Sequence, residues 1–327
     1  MLNKIQTYLL ITVFTLVSSA NAEVKVVTSI KPIHSLVSYI MDGVGKPNVI
    51  VDGYNSPHGF SLKPSHAKML ENADLVIWVG EDLEAFLEKP LNTIAKKAKN
   101  IEIMDLKKIT KLDFREKNIF EGHSDRKEHD DHKEHDDHKE HDDHKEHDAH
   151  KEKEHEGHAH GEHDPHVWLD PMNAKVIIKE ITKQLVLLDS KNSSVYNSNS
   201  KKALADIDKL TKSIKEDLNK NLRFVVFHDA YQYFENRFDI QVLGALTVNT
   251  DVMPGAEQLV KIREVIEHER VNCIFSEPQF NPSIIKSIAK DTNVKIGILD
   301  PLGAKLEKGK NLYFNLLKDM SSSFKGC

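Results

Sequence analysis

Short apolar runs alternate with segments of helical period along this chain, in two separate series. That alternation restricts the fold to parallel α/β architecture. In the first series Val24 to Ser29, Asn48 to Val51, Asp74 to Val79 and Ile101 to Met104 read as strands. Leu75-Val-Ile-Trp-Val79 is uninterrupted apolar sequence, the pattern of a strand covered on both faces. Helices are expected over Pro32 to Met41 and from an N-capping Ser65 to Leu70. The second series places strands at Phe224 to Phe227, Val242 to Ala245, Val271 to Phe275 and Val294 to Leu299. Helices at Ala230 to Arg237, Ala256 to Arg270 and Pro282 to Asp291 fill its gaps. Between the series lie a helix from Pro171 to Leu188 and a longer, polar one from Ser193. The polar helix repeats apolar residues at helical spacing (Ala203, Leu204, Ile207, Leu210, Ile214). The expected fold is therefore two α/β lobes, each with a roughly four-stranded parallel sheet flanked by helices. One long rigid helix over 193–220 joins a lobe of residues 23–192 to a lobe of residues 221–327.

One stretch cannot join either core. From Lys127 to His150 the chain repeats Lys-Glu-His-Asp-Asp-His four times, the last copy ending Asp-Ala-His. Histidine recurs at every third position: His129, His132, His135, His138, His141, His144, His147 and His150. It then thins out through His155, His158, His160 and His163. Almost no apolar residue interrupts residues 121–164, so the tract is expected to be a disordered insertion at the edge of the first lobe. Neutral imidazole is the commonest protein ligand for divalent transition metals. The tract therefore reads as a set of weak, auxiliary metal sites. A solvated charged linker is the plainer alternative.

The tract also accounts for the charge balance. Residues 121–164 hold 7 Lys and Arg against 18 Asp and Glu, whereas the whole chain carries −6. The remainder is mildly positive, with no concentrated basic patch bearing interleaved aromatics, which argues against a nucleic-acid partner. At the N-terminus, Lys4, an apolar run from Tyr8 to Val17 and the small-residue site Ala20-Asn-Ala22 describe a cleaved secretory signal peptide over residues 1–22. The apolar run is too short for a membrane span. No cysteine follows the cleavage site, so the mature protein is expected to be exported, soluble and not lipid-anchored. Its two cysteines, Cys273 and Cys327, are widely spaced. In an oxidising compartment they suit a staple of the C-terminus better than free thiols or a metal pair.

In open α/β sheets ligands sit beyond the carboxyl ends of strands. Reading just past each strand selects His58, His228, Glu277 and Asp300, with His166 where the tract rejoins the fold. Six histidines lie outside the tract. His34 and His66 are read as helix-surface residues, and His268 as part of a charged helix face. His58, His166 and His228 have no apolar periodicity to explain them. Three neutral imidazoles with one carboxylate or water make a tetrahedral Zn²⁺ shell. Asp229, next to His228, is a candidate to orient a ring through a hydrogen bond.

These residues sit in sequence blocks that run in order along the mature chain. They include His58-Gly-Phe-Ser-Leu-Lys-Pro-Ser, Ala-Asp-Leu-Val-Ile-Trp-Val-Gly, the His/Asp-rich insertion and His166-Val-Trp-Leu-Asp-Pro. Phe-His228-Asp-Ala-Tyr, Cys-Ile-Phe-Ser-Glu-Pro-Gln-Phe and Leu-Asp300-Pro-Leu-Gly follow. Together they resemble the ZnuA-type periplasmic zinc-binding proteins, the solute-binding components of zinc ABC importers. The resemblance implies two lobes bridged by a long helix, a Zn²⁺ site in the cleft and delivery to a membrane permease. It places metal ligands at His58, His166 and His228, with Asp300 a ligand or close to the metal, and a disulfide between Cys273 and Cys327. Some zinc members carry a glutamate immediately before the first ligand histidine. Here that residue is Pro57, which leaves the fourth position to Asp300 or water.

Rival functions differ in chemistry. Manganese-binding relatives often carry a carboxylate where this chain has His228, and three imidazoles favour Zn²⁺ over Mn²⁺. A zinc hydrolase with Glu277 as general base would use the same three histidines. The chain has no His-Glu-x-x-His motif and no nucleophile elbow. A periplasmic zinc buffer without a transporter is a further alternative. The expected protein is a monomeric, non-enzymatic zinc receptor whose binding weakens below about pH 6, where imidazole is protonated.

Overall fold

The computed structural model describes residues 23–115, 117–119, 161–218, 222–248, 250 and 252–327. The signal segment and the tract histidines from His129 to His160 lie outside them.

The first lobe alternates β1 (Val26–Ile30), α1 (Lys31–Ile40), β2 (Asn48–Val51), α2 (Pro64–Glu71), β3 (Leu75–Trp78), α3 (Glu81–Thr93) and β4 (Lys99–Glu102). Its sheet is parallel throughout, in the order β2-β1-β3-β4. β1 and β3 are buried along their whole length, as uninterrupted apolar sequence requires at the centre of a sheet covered on both faces. α2 starts two residues earlier than a Ser65 cap would place it, because Pro64, after an N-cap at Lys63, takes the first helical position, where its missing N–H costs nothing.

After α4 (Pro171–Leu188) and α5 (Ser193–Asp217), the second lobe repeats the pattern. It runs β5 (Arg223–His228), α6 (Gln232–Phe238), β6 (Gln241–Thr247), α7 (Ala256–His268), β7 (Cys273–Ser276), α8 (Ser283–Thr292) and β8 (Lys295–Ile298). Its sheet, β6-β5-β7-β8, is again parallel.

α5 is the long helix between the lobes, about 37 Å from 25 residues. It is not an isolated rod. α4 packs along it, and α1 packs against both. Tyr196, Ala203, Ile207, Leu210 and Ile214 form its buried stripe.

A second connection comes from α9 (Leu312–Lys325), which sequence reading left unassigned. It packs on α1, α5 and β8, burying Leu316, Leu317, Met320 and Phe324. Phe324 lies 4.7 Å from the ring of Phe224 and 5.4 Å from that of Phe275. A Cys273–Cys327 disulfide ties the end of α9 to β7. One apolar core thus runs from Val26 in the first lobe to Phe324 without a break. A polar helix, a returning C-terminal helix and a shared core join the lobes, an arrangement stiffer than a flexible hinge.

The chain just before the tract leaves the first lobe and lies on edge strand β6. Ala245 N–H donates to Asn118 O at 2.8 Å, and Ile119 pairs with Gly244. Any Cβ at Gly244 would stand 2.8 Å from Asn118 O, so this approach requires glycine. Arg115 reaches Asp229 and Glu235 of the second lobe, each at 2.9 Å. The returning chain pairs His163 with Asp113. The tract's attachment is therefore against the second lobe as well as the first. Among the described residues no helix is long and apolar enough to cross a membrane.

Candidate metal centre

Three chain segments deliver one imidazole each. His58 lies in the Gly/Pro-rich loop after β2, where its N–H meets Ser56 Oγ at 3.3 Å. His228 is the last residue of β5, which carries it to the carboxyl edge of the second sheet. His166 stands at the end of the segment returning from the tract, before a 3₁₀ turn over Val167–Leu169.

Several strong contacts fix that last segment. Trp168 Nε1 donates to Pro301 O at 2.8 Å, and Tyr313 Oη donates to Trp168 O at 2.8 Å. Asp170 caps α4 through Met172 N–H. It also receives both Nε and Nη2 of Arg237, each at 2.7 Å, a bidentate pair that fixes direction as well as distance. Trp168 and its neighbours thus lock a residue at a loop end as firmly as a strand would.

The three imidazoles meet in the cleft. One ring nitrogen of each lies within 4.8 Å of the others. The Nε2 atoms of His166 and His228 are 3.3 Å apart. His58 completes the triangle, with ring centroids 5.6 Å and 5.7 Å from the other two. His166 and His228 are 3% and 4% exposed, while His58 is half-buried at the mouth. The cavity between them is small, about 10 Å³, which matches one water-sized particle. Trp168, Phe280, Pro301 and Leu302 wall it.

Carboxylates behind the rings orient two of them. His166 Nδ1 donates to Asp164 Oδ1 at 2.7 Å, and the backbone N–H of His166 meets the same oxygen at 2.9 Å. His228 Nδ1 donates to Glu277 Oε1 at 2.7 Å. With Nδ1 holding the proton, each ring turns an Nε2 lone pair into the cavity. Burial pushes His166 well below an ordinary histidine, so its imidazole stays neutral as ligation requires, and burial also lifts Asp164 to about 7. At His228 burial also opposes the charge. Glu277, helped by Asp229 and Asp164, outweighs it and raises the imidazole.

Several sequence expectations meet different surroundings. Asp229 does not orient His228; it pairs with Arg115 instead. Glu277, considered as a general base, is that ring's partner. Asp164, overlooked in the sequence, carries His166. Its signal was an acid two residues before a histidine, too common a pattern to single out. Asp300 stands outside the cluster of imidazoles among the described residues. Its oxygens accept from the N–H groups of Leu302, Gly303 and Ala304 and from Gln279 Nε2. His34 is buried rather than on a helix surface, with Nε2 at 3.2 Å from Pro47 O. His163 lies 3.1 Å from Asp113, away from the cleft group.

Residues 26–327 match the family described as ZnuA, zinc-uptake complex component A, periplasmic. The chain belongs to the ZnuA family. It is 45% identical over 304 residues to the high-affinity zinc uptake system protein ZnuA of Brucella abortus (strain 2308), covering 92% of this chain and 91% of the relative. The ZnuA of Yersinia pestis is 38% identical over 309 residues, covering 94% and 92%. Solved structures share the fold. One described as the crystal structure of ZnuA superposes with a TM-score of 0.72 at 22% identity, covering 92% of this chain and 98% of that one. The laminin-binding adhesin Lmb of Streptococcus agalactiae, solved as a mutant, gives 0.70 at 23% identity, covering 92% and 98%. Members of the ZnuA family are solute-binding receptors, not enzymes. The hydrolase alternative falls with that finding, and the geometry agrees. Glu277 sits on the Nδ1 side of His228, not at the Nε2 side where a metal-bound water would be.

Proposed function

We propose that this protein captures zinc outside the cytoplasm, after removal of residues 1–22, and delivers it as a monomer to the membrane permease of an ABC importer. His58, His166 and His228 hold the ion in the cleft. The observation that carries this reading is the convergence of three imidazole nitrogens, one from each of three separate segments, within 4.8 Å. Two are held by buried carboxylates in the tautomer that ligation needs. An all-imidazole set favours Zn²⁺ over Mn²⁺, which prefers oxygen donors. Because His228 belongs to the second lobe and His58 to the first, zinc bridges the two. The shared core limits the accompanying motion to small tilts.

The tract histidines from His129 to His163 serve as an auxiliary, low-selectivity reservoir. Their many equivalent sites raise local supply without defining a coordination geometry. Zinc titration of the mature protein tests both roles. Chelator competition is expected to show one tight equivalent, which the triple variant His58→Ala, His166→Ala, His228→Ala loses. Deleting 127–163 is expected to lower total stoichiometry and keep the tight equivalent. Tight 1:1 binding that survives in the triple variant sinks the site assignment. Loss of it in the deletion sinks the division of roles.

A further inference from the structure

Three imidazoles leave one tetrahedral position unassigned, and the cavity offers little room for a water beside the ion. The fourth donor is then sought in the wall. Glu277 also lines the cavity, and its Oε2 is buried without a hydrogen-bond partner among the described residues, but its carboxylate is anchored through Oε1 to His228 Nδ1, on the far side of that ring from Nε2. Asp300 accepts three backbone amides at 3.1, 2.9 and 2.6 Å and stands outside the imidazole cluster among the described residues. Gln279 remains. It lines the cavity with the three histidines, and its Nε2 donates to Asp300 Oδ1 at 2.8 Å. An ionised carboxylate can only accept, so this bond decides which end of the amide faces Asp300 and which faces away. The end left over is Oε1, which is buried and has no hydrogen-bond partner among the described residues. Native proteins rarely bury such an acceptor unused, because its lost hydration is not repaid.

We propose that the amide oxygen of Gln279 is the fourth donor to the bound ion, and that Asp300 is the positioning residue that turns it toward the cavity. The proposal rests on the zinc site put forward above and adds a neutral oxygen to it. Asp300 is well placed for this task. Its loop is also gripped from the first lobe, where Lys31 Nζ donates to the carbonyls of Gly303, Ala304 and Leu306. A neutral fourth donor leaves the full charge of the ion on the site. The ion is then held less tightly than a carboxylate would hold it, which suits a cargo that must be released.

The test uses the full mature chain loaded with one equivalent of Zn²⁺ or Co²⁺, with chelator competition isolating the tight site. Gln279→Met keeps the side-chain length and removes the oxygen. It is expected to weaken tight zinc binding about tenfold and to change the Co²⁺ visible spectrum. Asp300→Asn is expected to reproduce the spectral change, since asparagine no longer dictates which end of the amide faces the cavity. Wild-type affinity and spectrum in Gln279→Met, with binding lost in His228→Ala, would overturn the proposal and leave the three-histidine site standing. Retention of tight binding in His228→Ala would instead remove the site beneath it. A measurement on the unaltered protein guards against misfolded variants: no ¹⁷O-water broadening is expected in the Co²⁺ resonance, and clear broadening would put water in the fourth position.

Discussion

Glu277→Gln tests how a buried carboxylate serves the centre. The side chain is 1% exposed and lies 2.7 Å from His228 Nδ1. Glutamine preserves its shape and can still accept from Nδ1–H, so the tautomer survives and only the charge is lost. Removing the outer partner of a ligating histidine weakens metal binding by roughly 10- to 100-fold, about 1.4–2.7 kcal/mol. The pH dependence has a definite sign. Glu277 raises His228 above an ordinary histidine, so the metal-free wild type keeps a proton on Nε2 to higher pH. Zinc must displace that proton. Wild-type affinity is therefore full above the raised value and falls as pH drops through it. In Glu277→Gln burial is opposed only by the lesser pulls of Asp229 and Asp164, the proton leaves at lower pH, and the decline comes later. Competition titrations between pH 5.5 and 8 should show the largest deficit of the variant at pH 8 and a shrinking one toward pH 5.5. A deficit that stays constant or widens on acidification would refute this account of His228, as would wild-type affinity at pH 8.

Two stability predictions follow from the joints between the lobes. Lys31→Met leaves two buried carbonyls and a part-buried one without the donor that now serves them. A cost of about 3 kcal/mol is expected in urea unfolding of the metal-free protein, and a change below about 1 kcal/mol would show that water replaces the ammonium freely. Cys273→Ser with Cys327→Ser opens a loop with a sequence separation of 54. Loop entropy predicts a loss of about 4 kcal/mol, measurable as a lower denaturation midpoint. An unchanged midpoint would mean that the aromatic packing of Phe324 holds α9 unaided.

Much of the architecture was legible before any coordinates. The central strands of both lobes are short apolar runs bounded by polar or turn residues, as a two-sided sheet requires at its centre; edge strand β4 (Lys99–Glu102) instead begins two residues before the expected Ile101 to Met104 run. Pro32 and Pro171 mark helix starts, because proline is best tolerated in the first turn. Two helices escaped. α3 is interrupted by the non-helical Glu84 and carries Pro90 inside it, which obscures its period. α9 shows a clear stripe at Leu312, Leu316, Leu317 and Met320, but its position beyond the last strand gave no reason to place it between lobes.

The histidines show where sequence stops and structure begins. Chemistry is local: an imidazole just past a strand is a candidate ligand whatever surrounds it, so His58, His166 and His228 could be picked out from position alone. Which atoms serve them is a matter of distances across 49 residues for His228 and Glu277. No periodicity encodes such a pair. The same holds for Asp300, where the strand-end position suggests a ligand while the turn that follows holds its oxygens through three N–H groups. Composition and pattern determined the lobes, the metal chemistry and the candidate imidazoles, because burial and ligand type are properties of single side chains. Only the tertiary structure decided the carboxylates behind His166 and His228, the second path between lobes through α9, and the burial of an unpaired Gln279 amide oxygen. Those depend on which segments the packed core brings within hydrogen-bonding reach.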